Sequence, residues 1–314
     1  MKALVTGGSG FIGSHVVDYL RSHGVQVRVF DMVMPSFRKD IEYYHGSLLN
    51  TEALLMAMNR IDVIFHLAAV ADVNDVYNDP LRSEEINVRG TINLLEAARK
   101  TAVKRLVYAS TTWVYSDAES EVVDENTPLH APSHLYTATK LAAEYYCRSY
   151  SSLFGLESTI VRYGIPYGPR ARPAAVIPIF VRKALNGEPL TIAGDGQQYR
   201  KFVYVGDLAR GTVLAMKPVA VNRVYNLDGT EIVTILDIAK TVQELVGDTE
   251  IVFTEGRPGD FSGKEVSSER AERELNWQPK VLFKEGVRRY IEWYKELSEE
   301  QALEATAVDQ DLVR

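Results

Sequence analysis

Short apolar runs alternate with helical patterns through the first half of the chain. Ala3-Leu4-Val5-Thr6 is an apolar run that ends in glycines. Residues 11–23 follow with helical spacing, which puts Phe11, Ile12, Val16 and Leu20 on one face. Residues 25–30 read as a second strand, closed by Asp31. Residues 63–67 and 105–109 are further runs of the buried-strand kind, and long helical patterns cover 81–99 and 135–153. Strands alternating with helices predict an α/β fold, a doubly wound parallel sheet with helices on both faces.

The pattern changes after about residue 162. Pro166, Pro169, Pro173 and Pro178 punctuate a loop-rich stretch, and the segment 202–216 reads as a short strand and a helix that return to the first domain. Short helices and strands follow at 234–246, 251–254, 268–275 and 284–297. The expected organisation is a dinucleotide-binding domain of residues 1–165 plus 201–230. A smaller α/β substrate-binding domain takes 166–200 plus 231–297. The polar tail 298–314 is expected to fray.

Composition narrows the class. The 314 residues are 46% hydrophobic, enough for a large core. A net charge of −7 argues against wrapping a nucleic acid backbone. The single cysteine, Cys147, excludes an internal disulfide and disfavours a metal site built from cysteines, so no metal is expected. It also fits a reducing, cytoplasmic setting. The start, MKALVTGG, lacks a signal-peptide layout, and no apolar run approaches the about 20 residues that span a membrane.

The first candidate chemistry lies where the first strand meets the first helix, at Thr6-Gly7-Gly8-Ser9-Gly10-Phe11-Ile12-Gly13. Gly7 permits a tight turn, Gly10 lets backbone approach phosphate, and Gly13 lets the helix pack closely on the sheet. The helix N-terminus then offers N–H groups and a positive dipole end to a pyrophosphate. Asp31 ends the second strand 18 residues beyond Gly13. A carboxylate there accepts hydrogen bonds from an adenosine ribose and repels a 2′-phosphate, which favours NAD over NADP. Arg28 and Arg38 are the nearby cations that would oppose that choice. The first domain is therefore expected to be of Rossmann type.

Further motifs follow in order: HLAA at 66–69, NVRGTINLLEAA at 87–98, YASTTWVY at 108–115, Tyr136-Thr-Ala-Thr-Lys140, and RYGIPYGPR at 162–170. Together with TGGSGFIG, they make the chain resemble the extended short-chain dehydrogenases/reductases, within the nucleotide-sugar epimerase and dehydratase group. The resemblance runs from residue 1 to about 295 and is closest to the UDP-glucose (galactose) 4-epimerases. It implies NAD contacts from Gly7, Gly10, Phe11, Ile12, Asp31, Ser47, Leu48, Leu67, Ala68, Ala69, Tyr136, Lys140 and Gly164.

Tyr136 and Lys140 are four apart on an expected helix and so share a face. A phenol of pKa about 10 is a poor base at neutral pH. A neighbouring ammonium stabilises the phenolate, so Tyr136 can take a proton from a sugar hydroxyl. The resemblance gives Thr111, at the end of a strand, a hydrogen bond to that hydroxyl. It also gives Lys140 a hold on the nicotinamide ribose. Thr111, Tyr136 and Lys140 are thus the expected catalytic set.

The next two positions bear on the reaction. The similar sugar 4,6-dehydratases carry Asp-Glu after this Thr, and the similar decarboxylases usually keep the Glu. This chain has Thr112 and Trp113, neither of which ionises to do acid–base work. The expected activity is therefore that of an isomerase: epimerisation at C4 of a UDP- or dTDP-sugar through a transient 4-keto sugar, with hydride returned to the opposite face. A nucleotide-sugar 4-ketoreductase is the alternative, with a dehydratase or decarboxylase behind it. On the substrate side, Thr111 and Tyr136 would meet the sugar, and Trp113 would either shape the sugar pocket or pack under the loop. By resemblance, Arg200 and Arg257 would meet the diphosphate and Asp260 the nucleoside ribose. Arg170 and Arg172 would flank the entrance. Four positions depart from the pattern: Ser47, Ser116, Ile165 and Lys201, the last two on the substrate side. The helices 81–99 and 135–153 form the dimer bundle in the family, so a homodimer is expected. Leu94, Leu95, Leu141 and Tyr145 would serve either that interface or the core.

Overall fold

The computed structural model describes residues 1–255 and 264–297. The chain divides into two compact units. The first takes Met1–Gly164, Leu208–Leu227 and Val266–Gln278. The second takes Ile165–Asp207 and the described parts of Asp228–Glu265 and Pro279–Arg314. The expected tail lies outside the described residues.

Seven strands build the first unit: β1 (Lys2–Thr6), β2 (Gln26–Asp31), β3 (Glu42–His45), β4 (Val63–His66), β5 (Arg105–Thr111), β6 (Glu157–Tyr163) and β7 (Val224–Leu227). They lie in the order β3-β2-β1-β4-β5-β6-β7, and every neighbouring pair is parallel. This is the doubly wound Rossmann arrangement. Covered on both faces, its central strands have apolar cores: Ala3, Leu4, Val5, Ile64 and Phe65 have no solvent exposure. The order reverses between β1 and β4, where Thr6 stands level with His66. Sheets of this kind bind ligands in the crevice beyond the strand ends at that reversal.

Three helices matter for the site: α1 (Phe11–Ser22), α2 (Gly90–Lys100) and α3 (Leu135–Phe154). The expected helix over 81–99 is interrupted. It opens at Pro80–Glu84, with the Asp79 carboxylate capping the Arg82 N–H at 3.0 Å, and widens into a π-helical turn at Glu85–Arg89 before α2. Such turns are frequent at functional sites, and this one carries Asn87. α3 ends at Gly155, whose φ of +69° suits a left-handed cap. Leu94, Leu95 and Cys147 from the helices pack with Leu4, Ile64 and Leu106 from the strands. Each such side chain contributes about 1.5–3 kcal/mol by leaving water. Leu141 is also buried, whereas Tyr145 is 60% exposed.

Two segments sit elsewhere than their sequence positions suggest. Residues 266–278 join the first unit rather than the second. Trp277 is fully buried against Gly211, Ser267 donates its N–H to Val123 O at 2.8 Å, and the Tyr225 hydroxyl donates to Glu274 at 2.7 Å. Conversely, the strand Tyr199–Tyr204 belongs to the second unit, paired with Ile165–Tyr167 and Ile232–Thr234. The helix Val205–Leu214 then carries the chain from one unit to the other. Among the described residues, no helix is long and apolar enough to cross a membrane.

Candidate active site

The glycine loop is shaped by backbone contacts that leave no room for side chains. Gly7 has φ +70°, and a Cβ there would lie 2.6 Å from the Ala68 nitrogen. A Cβ on Gly13 would lie 2.0 Å from the Gly7 carbonyl oxygen. The turn after β1 is thus pressed against the start of α1 on one side and the Leu67-Ala68-Ala69 loop after β4 on the other. Helix α1 begins at Phe11 and Ile12 with no side-chain cap at Gly10 and no acidic residue in its first turn. This leaves a positive dipole end facing the crevice. Asp31 closes β2 and is fixed by two backbone donors, Ser9 N–H at 2.9 Å and Val33 N–H at 3.2 Å. Burial raises its carboxyl above the ordinary aspartate value, opposed by those bonds.

The two cations that could have favoured NADP are committed elsewhere. Arg28 is buried, donating to the carbonyls of Ala57 and Asn59 and to the Glu42 carboxylate at 2.6 Å. Arg38 pairs with Asp18 at 3.0 Å and Asp40 at 2.9 Å. A cradle of backbone around Gly7 and Gly13, an uncapped helix end and a fixed carboxylate fit an NAD-type dinucleotide. The other expected cofactor residues line the same strand ends. Ser47, whose hydroxyl accepts the Leu49 N–H at 3.2 Å, and Leu48 follow β3; Gly164, whose N–H donates to Leu227 O at 2.9 Å, follows β6.

Thr111, Tyr136 and Lys140 come from β5 and α3. Thr111 is the last residue of β5, and its Oγ1 accepts the Trp113 N–H at 3.2 Å. α3 lies along this strand end through a ladder of contacts. Lys140 Nζ donates to Ala109 O at 2.9 Å, and Ser110 Oγ donates to Glu144 Oε1 at 2.5 Å. Before the helix, Asp117 accepts from the Ser133 N–H and hydroxyl, and the His134 ring lies 5.6 Å from that of Trp113. Lys140 Nζ lies 6.0 Å from the centre of the Tyr136 ring. Lys140 is only 4% exposed, and burial lowers its ammonium from 10.5 to about 8, with Glu144 opposing.

Asn87 ties α3 to the loop after β4. Its Nδ2 donates to Val70 O at 2.9 Å and to Thr139 Oγ1 at 3.0 Å, and its Oδ1 accepts the Val70 N–H at 2.8 Å. The Thr139 hydroxyl donates to Tyr136 O at 2.8 Å. Beneath them, His66 bridges Thr6 and Thr91 at 2.7 and 3.0 Å. The Thr91 hydroxyl spends its proton on Asn87 O at 2.7 Å, so His66 Nε2 must be the donor and Nδ1 the acceptor. Burial, with the Lys140 charge behind it, pushes the imidazolium down to about 3, so His66 stays neutral.

Sequence reasoning missed a second buried network. Glu144 accepts from Arg162 Nε at 3.0 Å and Nη2 at 2.7 Å, both side chains being 2% exposed. Arg162 also donates to Tyr115 Oη at 2.6 Å, and the Tyr115 hydroxyl donates to Asn226 Oδ1 at 3.0 Å. Glu144 was detectable in principle, since Tyr136, Lys140 and Glu144 repeat at four-residue spacing on one helix face.

The substrate-side expectations are only partly visible. Thr112 turns its hydroxyl to Tyr163 O at 3.2 Å, Trp113 is half-buried in a 3-10 turn, and Ser116 Oγ donates to Trp113 O at 2.8 Å. Arg200 lies in the second unit on Tyr199–Tyr204 and donates to Tyr199 O at 2.7 Å. On the same strand, Lys201 pairs with Glu265 at 3.5 Å. Ile165 opens a strand of that unit, and Arg170 adopts a left-handed backbone with φ +65°. Arg257 and Asp260 lie outside the described residues. Among the described residues, no group of His, Cys, Asp and Glu is placed to hold a metal.

A seven-stranded parallel sheet, a glycine-lined turn into α1, an acidic end to β2 and a Tyr–Lys pair on one helix face define a dinucleotide-dependent short-chain dehydrogenase/reductase type of protein. The profile of the NAD-dependent epimerase/dehydratase family matches residues 3–228. The chain is 31% identical to a UDP-glucuronate 4-epimerase of Thermodesulfobacterium geofontis, covering 93% of this chain and 96% of that one. It is 32% identical to UDP-glucuronic acid decarboxylase 1 of Xenopus tropicalis, covering 96% and 74%. The crystal structure of a Thermotoga maritima UDP-glucose 4-epimerase with UDP-glucose superposes with a TM-score of 0.89 at 33% identity, covering 94% and 99%. The chain belongs to the NAD-dependent epimerase/dehydratase family, and its cofactor is NAD.

Proposed function

We propose that the protein epimerises a nucleotide-diphosphate sugar, a UDP- or dTDP-sugar, at C4. The observation that carries this reading is the pair that follows Thr111. Relatives span epimerases and decarboxylases. Epimerisation at C4 needs no acid–base group beyond the one that handles the C4 hydroxyl proton. Thr112 is bonded to backbone, and Trp113 is an indole against His134. Neither supplies the carboxyl that removal of water or carbon dioxide would use.

Bound NAD supplies the hydride acceptor and donor. The chain's own residues handle the proton and the geometry. Tyr136 Oη takes the proton of the C4 hydroxyl and later returns it. Lys140 places a positive charge beside the phenol while it carries negative charge. Thr111 Oγ1 accepts from or donates to the same sugar hydroxyl, and Asn87 holds the first turn of α3 in position. Arg200 suits the diphosphate because a guanidinium makes paired, charge-assisted bonds to phosphate. The commitment of Arg28 and Arg38 to carboxylates argues against the ketoreductase alternative, which would draw on NADPH. The exposed Tyr145, Tyr146, Leu153 and Phe154 along α3 support a homodimer.

The test is a purified sample incubated with a panel of UDP- and dTDP-sugars and no added cofactor, followed by NMR. A new C4 epimer, in equilibrium with its substrate, is expected. A product that has only lost water or carbon dioxide refutes the reading.

A further inference from the structure

Lys140 is surrounded on every side. Tyr108 of β5 lies with its ring centre 5.2 Å from Nζ, and Tyr136 precedes Lys140 by one turn of α3. Glu144 and Cys147 follow it on the same helix, and neutral His66 of β4 lies within reach of its charge. Its one hydrogen bond to protein is to a neutral carbonyl, Ala109 O. A buried ammonium with so little compensation tends to shed its proton. The carboxylate among these neighbours is that of Glu144. That carboxylate is immobilised by Ser110 and by the Nε and Nη2 edge of the Arg162 guanidinium, at 2.5–3.0 Å.

We propose that Glu144 is a positioning residue for the Tyr136–Lys140 pair: its buried carboxylate, one helical turn beyond Lys140, keeps that lysine charged, while its bonds to Ser110 and Arg162 lock α3 in register with β5. The proposal rests on the assignment of Tyr136 and Lys140 as the reacting pair, but not on which sugar is turned over. Arg162 offsets part of the Glu144 charge. It stands on β6, and of the two charges it is Glu144 that acts on the lysine.

The physical consequence is specific. Burial brings the Lys140 ammonium down to about 8. An opposite charge within one helical turn is worth about 1–3 pH units, so its loss should lower the midpoint by about one unit or more. The experiment follows the Lys140 13Cε resonance, assigned by its absence in Lys140→Met, as the full chain saturated with NAD is titrated from pH 6 to 11. Glu144→Gln should lower the midpoint. Glu144→Asp, which keeps the charge, should leave it near the parent's even where the shorter side chain lowers Tm. Glu144→Gln with Arg162→Gln leaves no buried guanidinium without its carboxylate, so it keeps the test open should the single variant fail to fold. It too should lower the midpoint, by less. A midpoint unchanged in Glu144→Gln or in the double variant overturns the proposal, as does an equal shift in Glu144→Asp. No sugar is present, so the outcome is separate from the fate of the epimerase reading.

Discussion

Replacing Gly13 by alanine should uncouple NAD binding from the rest of the fold. The residue is helical and its backbone tolerates a side chain, so the whole effect comes from space. The added Cβ would stand 2.0 Å from Gly7 O, 2.8 Å from Gly7 C and 2.9 Å from Gly8 Cα. All three are backbone atoms that cannot rotate away. Ordinary contact needs about 3.5 Å, so α1 must withdraw from the turn by roughly 1.5 Å. Overpacking of this kind costs about 1–3 kcal/mol, and rigid backbone on both sides puts Gly13→Ala at the upper end. At about 2–4 °C per kcal/mol, Tm falls by about 5–10 °C. A displacement beyond 1 Å at the pyrophosphate seat weakens productive binding by about 100-fold. Gly24→Ala is the control. It sits past the far end of α1 with φ +74° and nothing within 4 Å of its Cβ. It should lose about 1–2 kcal/mol through backbone strain alone and bind NAD as the parent does. Differential scanning calorimetry and isothermal titration with NAD on the three proteins decide the matter. The reasoning fails if Gly13→Ala binds NAD as tightly as the parent, or if both variants weaken binding equally.

Tyr136→Phe should lower turnover by about 10²–10⁴-fold while the protein still carries NAD, measured by NMR turnover and by the NAD released on denaturation. Arg200→Ala should raise KM for the nucleotide sugar by about 10–100-fold and leave NAD affinity unchanged, as loss of a charge-assisted contact predicts. Stability should fall with pH on the acid side because of His66. Its folded value of about 3 lies below the ordinary 6.5, so the unfolded chain binds a proton the folded one refuses, and stability present above pH 6.5 is lost toward pH 3. Chemical denaturation of His66→Gln across that range should show a shallower slope than the parent. Lys140 works on the alkaline side with the same sign: its folded value of about 8 lies below 10.5, so burial costs up to about 3 kcal/mol below pH 8, relieved as pH rises toward 10.5. Lys140→Met should abolish that rise, and turnover by the parent should decline above pH 8 as the charge is lost.

The strands and the cofactor loop were legible because one local cause sets each of them. A short apolar run before glycines becomes a buried parallel strand wherever both faces are covered. The clash that forbids a side chain at Gly13 leaves glycine as its trace in the sequence. The π-helical turn at Glu85–Arg89 left no such trace. Its composition is that of an ordinary helix, and what distinguishes it is Asn87 bonding Val70 and Thr139, partners 17 and 52 residues away. The place of residues 266–278 was hidden for a similar reason. Trp277 reads as one more apolar residue until Gly211 is found to make room for it.

Helix α3 shows why the Glu144 network escaped notice. Amphipathic reasoning sends charge to solvent and apolar residues to the core. On this helix the assignment is mixed: Lys140 and Glu144 are almost wholly buried beside Leu141 and Cys147, whereas Tyr145, Leu153 and Phe154 are exposed at 60%, 73% and 51%. Burying a lysine and a glutamate one turn apart is expensive: Ser110 and Arg162 match the carboxylate, whereas the lysine has the neutral Ala109 O. A core of apolar residues would have held α3 to β5 at lower cost. What it could not provide is a fixed charge beside the Tyr136 phenol. The break in the hydrophobic pattern therefore points to the face of the helix proposed to carry chemistry, and it can be sought in a sequence as Tyr, Lys and Glu at four-residue spacing beside an otherwise apolar surface.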